Sequence, residues 1–236
     1  MMKRTLMAFL GLCILLQSCD KAETKNPQEE QNKPVPEKPK EGIPEKPADE
    51  GKKPEPAPPP SNNNGIVHGV VNQELSYNKF ITLDMNADGK NDVYFTSALV
   101  MDSQSHLYLF ASSISTSGGK LLLDKGTEMG LNGLWASPLK QGNPIKEQML
   151  ATARWSNYMT KAVLLDVIEK TQGDELKGPW VTKDDQYIGV QLLIDGKPHY
   201  GWIKVSHQGT EQKLYITEFA YNLAPSEELL AGQKSK

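Results

Sequence analysis

The chain has 236 residues and a formal net charge of −3. So small a charge excludes electrostatic capture of nucleic acid or of anionic lipid as the basis of function. Both cysteines, Cys13 and Cys19, lie at the N-terminus, so the rest of the chain has no disulfide, no cysteine-ligated metal and no cysteine nucleophile.

The first element is a targeting segment. Lys3 and Arg4 make a short positive region, and residues 6–16 form an apolar run. The run is too short to span a bilayer as a stable helix, but it suits the core of a signal peptide. It ends in LQSC: Leu16, the small Ser18, then Cys19. This resembles the lipobox of bacterial lipoprotein signal peptides. The resemblance implies cleavage after Ser18, with Cys19 lipidated and left as the new N-terminus. The competing reading is an ordinary secretory signal with an incidental cysteine. Position, spacing and the polar residues after Cys19 favour the lipoprotein. The following DKAE resembles the short charged export signals of Bacteroidota surface lipoproteins. Residues 1–18 are therefore expected to be removed. The mature protein is expected in the envelope of a Gram-negative bacterium, lipid-anchored at the outer membrane and exposed at the surface.

Residues 19–64 read as the lipidated cysteine and a linker. Eleven of the 16 prolines fall there, mixed with Glu and Lys in PEKP-like units. Such a segment buries too little apolar surface to offset the entropy of folding. Its prolines favour polyproline II, at about 3.1 Å per residue, so full extension would reach roughly 140 Å. The reading is a spacer that holds a domain off a membrane; a PxxP ligand is the alternative.

Residues 65–236 read as one domain. Short runs of period two recur between turn signals: FITLD, NDVYFTSALV, HLYLFASSIS, YIGVQLLIDG, HYGWIKVS and KLYITEFAYN. In YIGVQLLI, Ile188, Val190, Leu192 and Ile194 share one face, which predicts a half-buried strand. DGKP at 195–198 supplies a turn, so HYGWIKVS is expected to pair back as a hairpin. The fold class predicted is all-β: an antiparallel β-sandwich or jelly-roll-like domain with at most one or two short helices. Residues 143–153, containing PIKEQMLATA, are the one segment expected to be helical. KAVLLDVIEK reads equally as helix or strand.

The C-terminal half carries a second resemblance. YIGVQLLIDGKPHYGWIKVS followed by KLYITEFAYN resembles a block found in secreted and anchored β-sandwich proteins of uncharacterised function. A DxNxDGxxD segment near the domain start is common in that family, and Gly178-Pro179-Trp180 fits it too. Where the family often has a glutamate at the end of the last block, this chain has Asn222. The resemblance implies a sandwich and an extracytoplasmic location, and no reaction.

LDMNADGKNDVYF, at 83–95, is the most chemically specific stretch. Asp84, Asn86 and Asp88 alternate, Gly89 follows, and Asp92 closes the series. Calcium takes six to eight oxygens, which a loop supplies at positions 1, 3, 5, 7 and 9. Those positions are Asp84, Asn86, Asp88, the Lys90 backbone carbonyl and Asp92. An EF-hand would place glutamate at position 12, where this chain has Phe95, and its flanks would be helical. The loop therefore resembles the calcium loop of a β-hairpin, as in integrin-type repeats. The competing reading is a polar hairpin turn that binds nothing. Three carboxylates in nine residues repel one another without a cation, which favours calcium in a structural role.

HExxH, GxSxG, a complete phosphate loop and the ExDxxE carboxylate pair are all absent. The four histidines, His68, His106, His199 and His207, show no ligand spacing. His199 reads as a packed or rim histidine. Trp135, Trp155, Trp180 and Trp202, with Tyr187, Tyr200 and Tyr221, suit either a sugar-stacking platform or a core. Of these, Tyr200, Trp202, Trp180 and Trp135 are the candidate ligand-facing aromatics. In HYGWIKV, Tyr200, Trp202 and Lys204 share the face opposite Ile203 and Val205, and the pattern leaves open which is core. The functional expectation is a non-catalytic binding or structural module with a calcium-stabilised loop. Its partners would be the membrane, through the lipid on Cys19, and a glycan or envelope protein, with no nucleic acid. A glycan-binding module is the alternative reading, and a hydrolase is a weaker one.

Overall fold

A computed structural model describes residues 60–236, apart from Asp102, Ser115, Thr116, Thr127, Met129, Leu150, Tyr158, Met159, Thr182 and Lys183. The signal segment, Cys19 and the linker up to residue 59 lie outside the described residues. The described chain is all-β, as the alternating runs predict.

One sheet begins with β1 (Ser61–Asn63) and β2 (Ile66–Leu75). β2 pairs with β15 (Leu214–Asn222), then β14 (Lys197–Ser206), β13 (Gln186–Ile194), β6 (Lys120–Asp124) and β10 (Ala153–Trp155). The short β8 (Pro138–Leu139) also pairs with β13. The second sheet runs β12 (Glu175–Lys177), β11 (Lys161–Ile168), β5 (Ser105–Ser113), β4 (Val93–Met101) and β3 (Ile81–Leu83). β7 (Gly133–Trp135) joins β11 in parallel, a departure from the otherwise antiparallel pairing of these sheets. A separate two-stranded ribbon joins β9 (Pro144–Ile145) to β16 (Leu229–Leu230).

The main core lies where the inward faces of the two sheets meet. Leu75, Leu121, Ile188, Val190, Ile203 and Ile216 come from the first sheet, and Phe95, Leu109, Leu164 and Leu165 from the second. The large sheet is covered on its other face as well. Ile66, Leu122, Tyr187, Tyr200, Trp202 and Ala220 pack there beneath Leu139, Ile145, Leu229 and Ala231. The HYGW question therefore has a two-sided answer. Ile203 and Val205 fill the inter-sheet core, and Tyr200 and Trp202 fill the second layer.

Asp195 and Gly196 make the predicted β13–β14 turn, both with positive φ (50° and 73°). A two-residue turn with φ > 0 at both positions matches the twist of the strands it joins. Asn64 and Gly65 do the same between β1 and β2. Ser61–Asn63, placed in the linker on composition, is thus the edge strand of the large sheet.

The helix expected over 143–153 does not form among the described residues of that range. Pro144 and Ile145 pair with Leu230 and Leu229 instead, burying Ile145. The Trp155 indole N–H then lies 3.3 Å from the Lys146 carbonyl and 3.1 Å from that of Glu147. Those carbonyls would have begun a helical ladder, and here they hold a tryptophan. KAVLLDVIEK resolves as β11, buried at every residue from Ala162 to Ile168.

Candidate functional site

The DxNxDG stretch closes the β3–β4 hairpin, in which Leu83 pairs with Val93 and Ile81 with Phe95. Phe95 is fully buried, so the position where an EF-hand needs a glutamate belongs to the core. Within the loop the side-chain oxygens fold back on the main chain. Asp84 accepts from the amides of Asp88 (3.2 Å) and Gly89 (2.8 Å). Asn86 Oδ1 accepts from the Asp88 amide at 3.1 Å, and Asp88 from the Lys90 amide at 2.8 Å. These bonds hold Ala87 and Gly89 at positive φ, 58° and 83°. For Ala87 that backbone costs about 1–2 kcal/mol.

Asp92 is different. It is 4% exposed, and its carboxylate accepts from the Met85 amide at 2.9 Å. Burial pushes its carboxyl up from 3.8 to about 6, against the Met85 hydrogen bond, and the charges of Asp84 and Asp88 add to the rise. Among the described residues, no Lys, Arg or His forms an ion pair with Asp84, Asp88 or Asp92. Nor, among the described residues, does any set of three or more His, Cys, Asp and Glu side chains converge tightly enough to hold a metal ion. A five-oxygen calcium shell would draw on Asn86 and the Lys90 carbonyl as well. The donors are all hard oxygens, and a carboxylate oxygen that accepts one amide keeps a further lone pair. On donor chemistry the loop fits calcium.

A cleft of about 460 Å³ opens beside the loop. Asn86 and Asp88 form one wall; Asp195 and Lys197, from the β13–β14 hairpin, line it with Leu223. His199 and Tyr221 also face it, at 6% and 4% exposure. Burial, and then the charges of Asp92 and Asp84, push the Tyr221 phenol up. Another cleft, of about 340 Å³, is lined by Tyr77, Leu99, Leu107 and Val167, with Glu169 and Asp174.

The candidate ligand-facing aromatics are placed otherwise than a stacking platform requires. Trp180 and Trp202 are buried at 2% and 0%, and Tyr200 at 1%. The Trp180 indole donates to the Ala136 carbonyl at 2.9 Å, and Tyr200 stacks on Trp155 at 5.9 Å. Trp135 is half-buried, its ring against the space a side chain at Gly178 would take. That contact accounts for glycine in the Gly178-Pro179-Trp180 block. Among the described residues the exposed aromatics are Phe80 and Tyr77, and Phe80 stacks on Tyr94 at 5.6 Å.

Two histidines pair with carboxylates across long stretches of sequence. His68 Nε2 lies 2.8 Å from Glu218, and His106 Nδ1 3.0 Å from Asp166. Spacing gives no sign of either, because adjacent strands bring the partners together. Burial raises the Glu218 carboxyl, but Lys234, His68 and Lys204 outweigh it and hold it below the ordinary value. With Lys234 from the C-terminal segment bound to Glu218, this cluster reads as a clamp. Neither pair lines either cleft.

Comparisons with protein-family models, with curated proteins and with solved structures found no match.

Proposed function

We propose that the chain is a lipid-anchored protein of a Gram-negative cell envelope, tethered at the outer membrane through Cys19. Its domain acts as a non-catalytic binding or structural module with a calcium-stabilised loop over 84–92. The anchor rests on the LQSC stretch ending at Cys19, and one observation carries the calcium loop. Asp92 is a buried carboxylate beside Asp84 and Asp88, with no cationic side chain paired to any of the three among the described residues. Buried charge is retained where something neutralises it. Asp84, Asn86, Asp88, the Lys90 carbonyl and Asp92 would hold calcium, which supplies the missing positive charge.

Thermal unfolding of the full chain in calcium, magnesium and EGTA tests the loop. With a dissociation constant near 0.1 mM, about 1 mM calcium adds roughly 1.4 kcal/mol. That raises the midpoint by about 3–6 °C in a domain of this size. Magnesium is expected to leave it unchanged, and Asp88→Ala to abolish the rise. Equal midpoints in calcium and EGTA would reduce the loop to a polar turn.

The anchor has its own test. Cys19→Ala is expected to lose palmitate labelling and to leave the membrane fraction. A labelled, membrane-bound variant would remove Cys19 as the site of attachment.

A further inference from the structure

The cleft beside the loop offers polar atoms that the fold itself does not use. His199 Nδ1 lies 2.9 Å from the Asn222 carbonyl. A carbonyl only accepts, so Nδ1 carries a proton, and in the neutral ring Nε2 then presents a lone pair. Among the described residues, neither His199 Nε2 nor the Tyr221 hydroxyl has a hydrogen-bond partner. Both side chains are more than nine-tenths buried, and both line the cleft. Neither atom is sealed off, so both meet the cleft, and two polar atoms that the fold leaves free on one cavity mark a place for a ligand.

We propose that this cleft binds a saccharide through its ring hydroxyls. His199 Nε2 accepts from one hydroxyl, and the Tyr221 hydroxyl exchanges a hydrogen bond with a neighbouring one. A sugar hydroxyl both donates and accepts, so its site needs both kinds of partner within a short span. Here His199 Nε2 accepts, the Tyr221 hydroxyl does either, and Lys197, which lines the cleft, carries an ammonium donor. Leu223 offers an apolar contact for the C–H face of a ring. The volume of about 460 Å³ falls within the range of about 300–1,000 Å³ usual for small-ligand sites. No exposed aromatic face lines the cleft, since Tyr221 is buried to its hydroxyl, so nothing there would stack a flat base. This deepens the binding-module reading given above and rests on it, because the loop that calcium would order forms one wall.

The test uses the full chain, purified in detergent, on an array of neutral hexose, N-acetylhexosamine and uronic acid oligosaccharides. The best probe is then titrated calorimetrically in calcium and in EGTA. Two variants isolate the open atoms. Tyr221→Phe removes only the hydroxyl. His199→Asn keeps a donor for the Asn222 carbonyl and deletes Nε2. One saccharide class is expected to bind, and each variant to weaken it about tenfold or more. Unfolding midpoints of the variants are expected within a few degrees of the parent, which separates lost contact from lost fold. Binding by no class, or binding that neither variant weakens, overturns the proposal. If calcium raises the midpoint and no saccharide binds, this inference fails and the calcium loop stands. If saccharide binds with both variants impaired while the midpoint is equal in calcium and EGTA, the cleft stands and the calcium reading fails.

Discussion

Trp202→Ala is expected to cost about 3–5 kcal/mol, the largest loss from any single truncation in the second layer. Trp202 is fully buried and meets the Tyr187 ring edge to face, at 5.2 Å and 84°. Its indole N–H donates to the Gln233 carbonyl at 3.1 Å. Truncation therefore removes a large apolar side chain and leaves that carbonyl without its donor. It also removes the floor on which Leu229 and Ala231 pack. Two measurements follow. The urea midpoint should fall steeply. Trypsin should then cut the chain within the segment ending at Lys234 and Lys236 under conditions that leave the parent intact. Trp202→Phe separates the contributions, keeping most of the packing and losing the indole bond, for roughly 1–3 kcal/mol. A loss below about 1 kcal/mol for Trp202→Ala would mean that the second layer is not a cooperative part of the fold.

That second layer is also where the sequence was hardest to read. Alternation identifies a strand with one buried face, and it worked for β13, where Ile188, Val190 and Leu192 all point into the core. It cannot say that Tyr187, Tyr200 and Trp202 on the opposite face are buried too. Their cover comes from Ile145 and Leu229, in strands of two residues each. Strands that short carry no periodicity. The same ribbon explains the missing helix: Pro144 and Ile145 find their partners at Leu230 and Leu229, more than eighty residues on. Local pattern favoured a helix, and tertiary pairing overrode it. Ser61–Asn63 was misplaced for a related reason. Its asparagines look like linker, and only the Asn64-Gly65 turn marks the start of the sheet.

The loop was legible because its chemistry is local. Every hydrogen bond made by an Asp or Asn side chain of the loop joins residues within seven positions of one another. The cleft was not. His199 and Tyr221 come from adjacent strands of the large sheet, and Asn86 and Asp88 from a hairpin of the other. The reading of His199 as a packed or rim histidine agrees with its burial and its bond to Asn222. What spacing could not supply is that its second ring nitrogen has no partner among the described residues. The histidine–carboxylate pairs make the same point, since His68 and Glu218 are 150 positions apart.

Asp92→Asn is expected to stabilise the protein without calcium and to destabilise it with calcium. The Asp92 carboxyl in the fold lies near 6, against 3.8 for the free group. A carboxyl raised by folding is at no disadvantage below pH 4, where folded and unfolded chains are both protonated. As pH rises from 4 to 6 the unfolded chain ionises first, so stability falls. Above 6 the full cost is present, on the order of 3 kcal/mol. Asparagine removes that charge and keeps an oxygen for the Met85 amide. In EGTA the variant should therefore gain up to about 3 kcal/mol over the parent at pH 7 and show no difference below pH 4. Glu218 and the other carboxyls held low by their partners contribute the opposite slope, and they cancel in this comparison. In calcium the sign reverses. A bound ion would hold the Asp92 carboxylate ionised and stabilise the parent, while the variant would have lost a charged ligand. Chemical denaturation of both proteins across pH 3.5–8, with and without calcium, reads the crossing directly. A variant less stable than the parent in EGTA at pH 7 would mean that the Asp92 charge is already compensated within the fold, and the physical case for calcium at this loop would go with it.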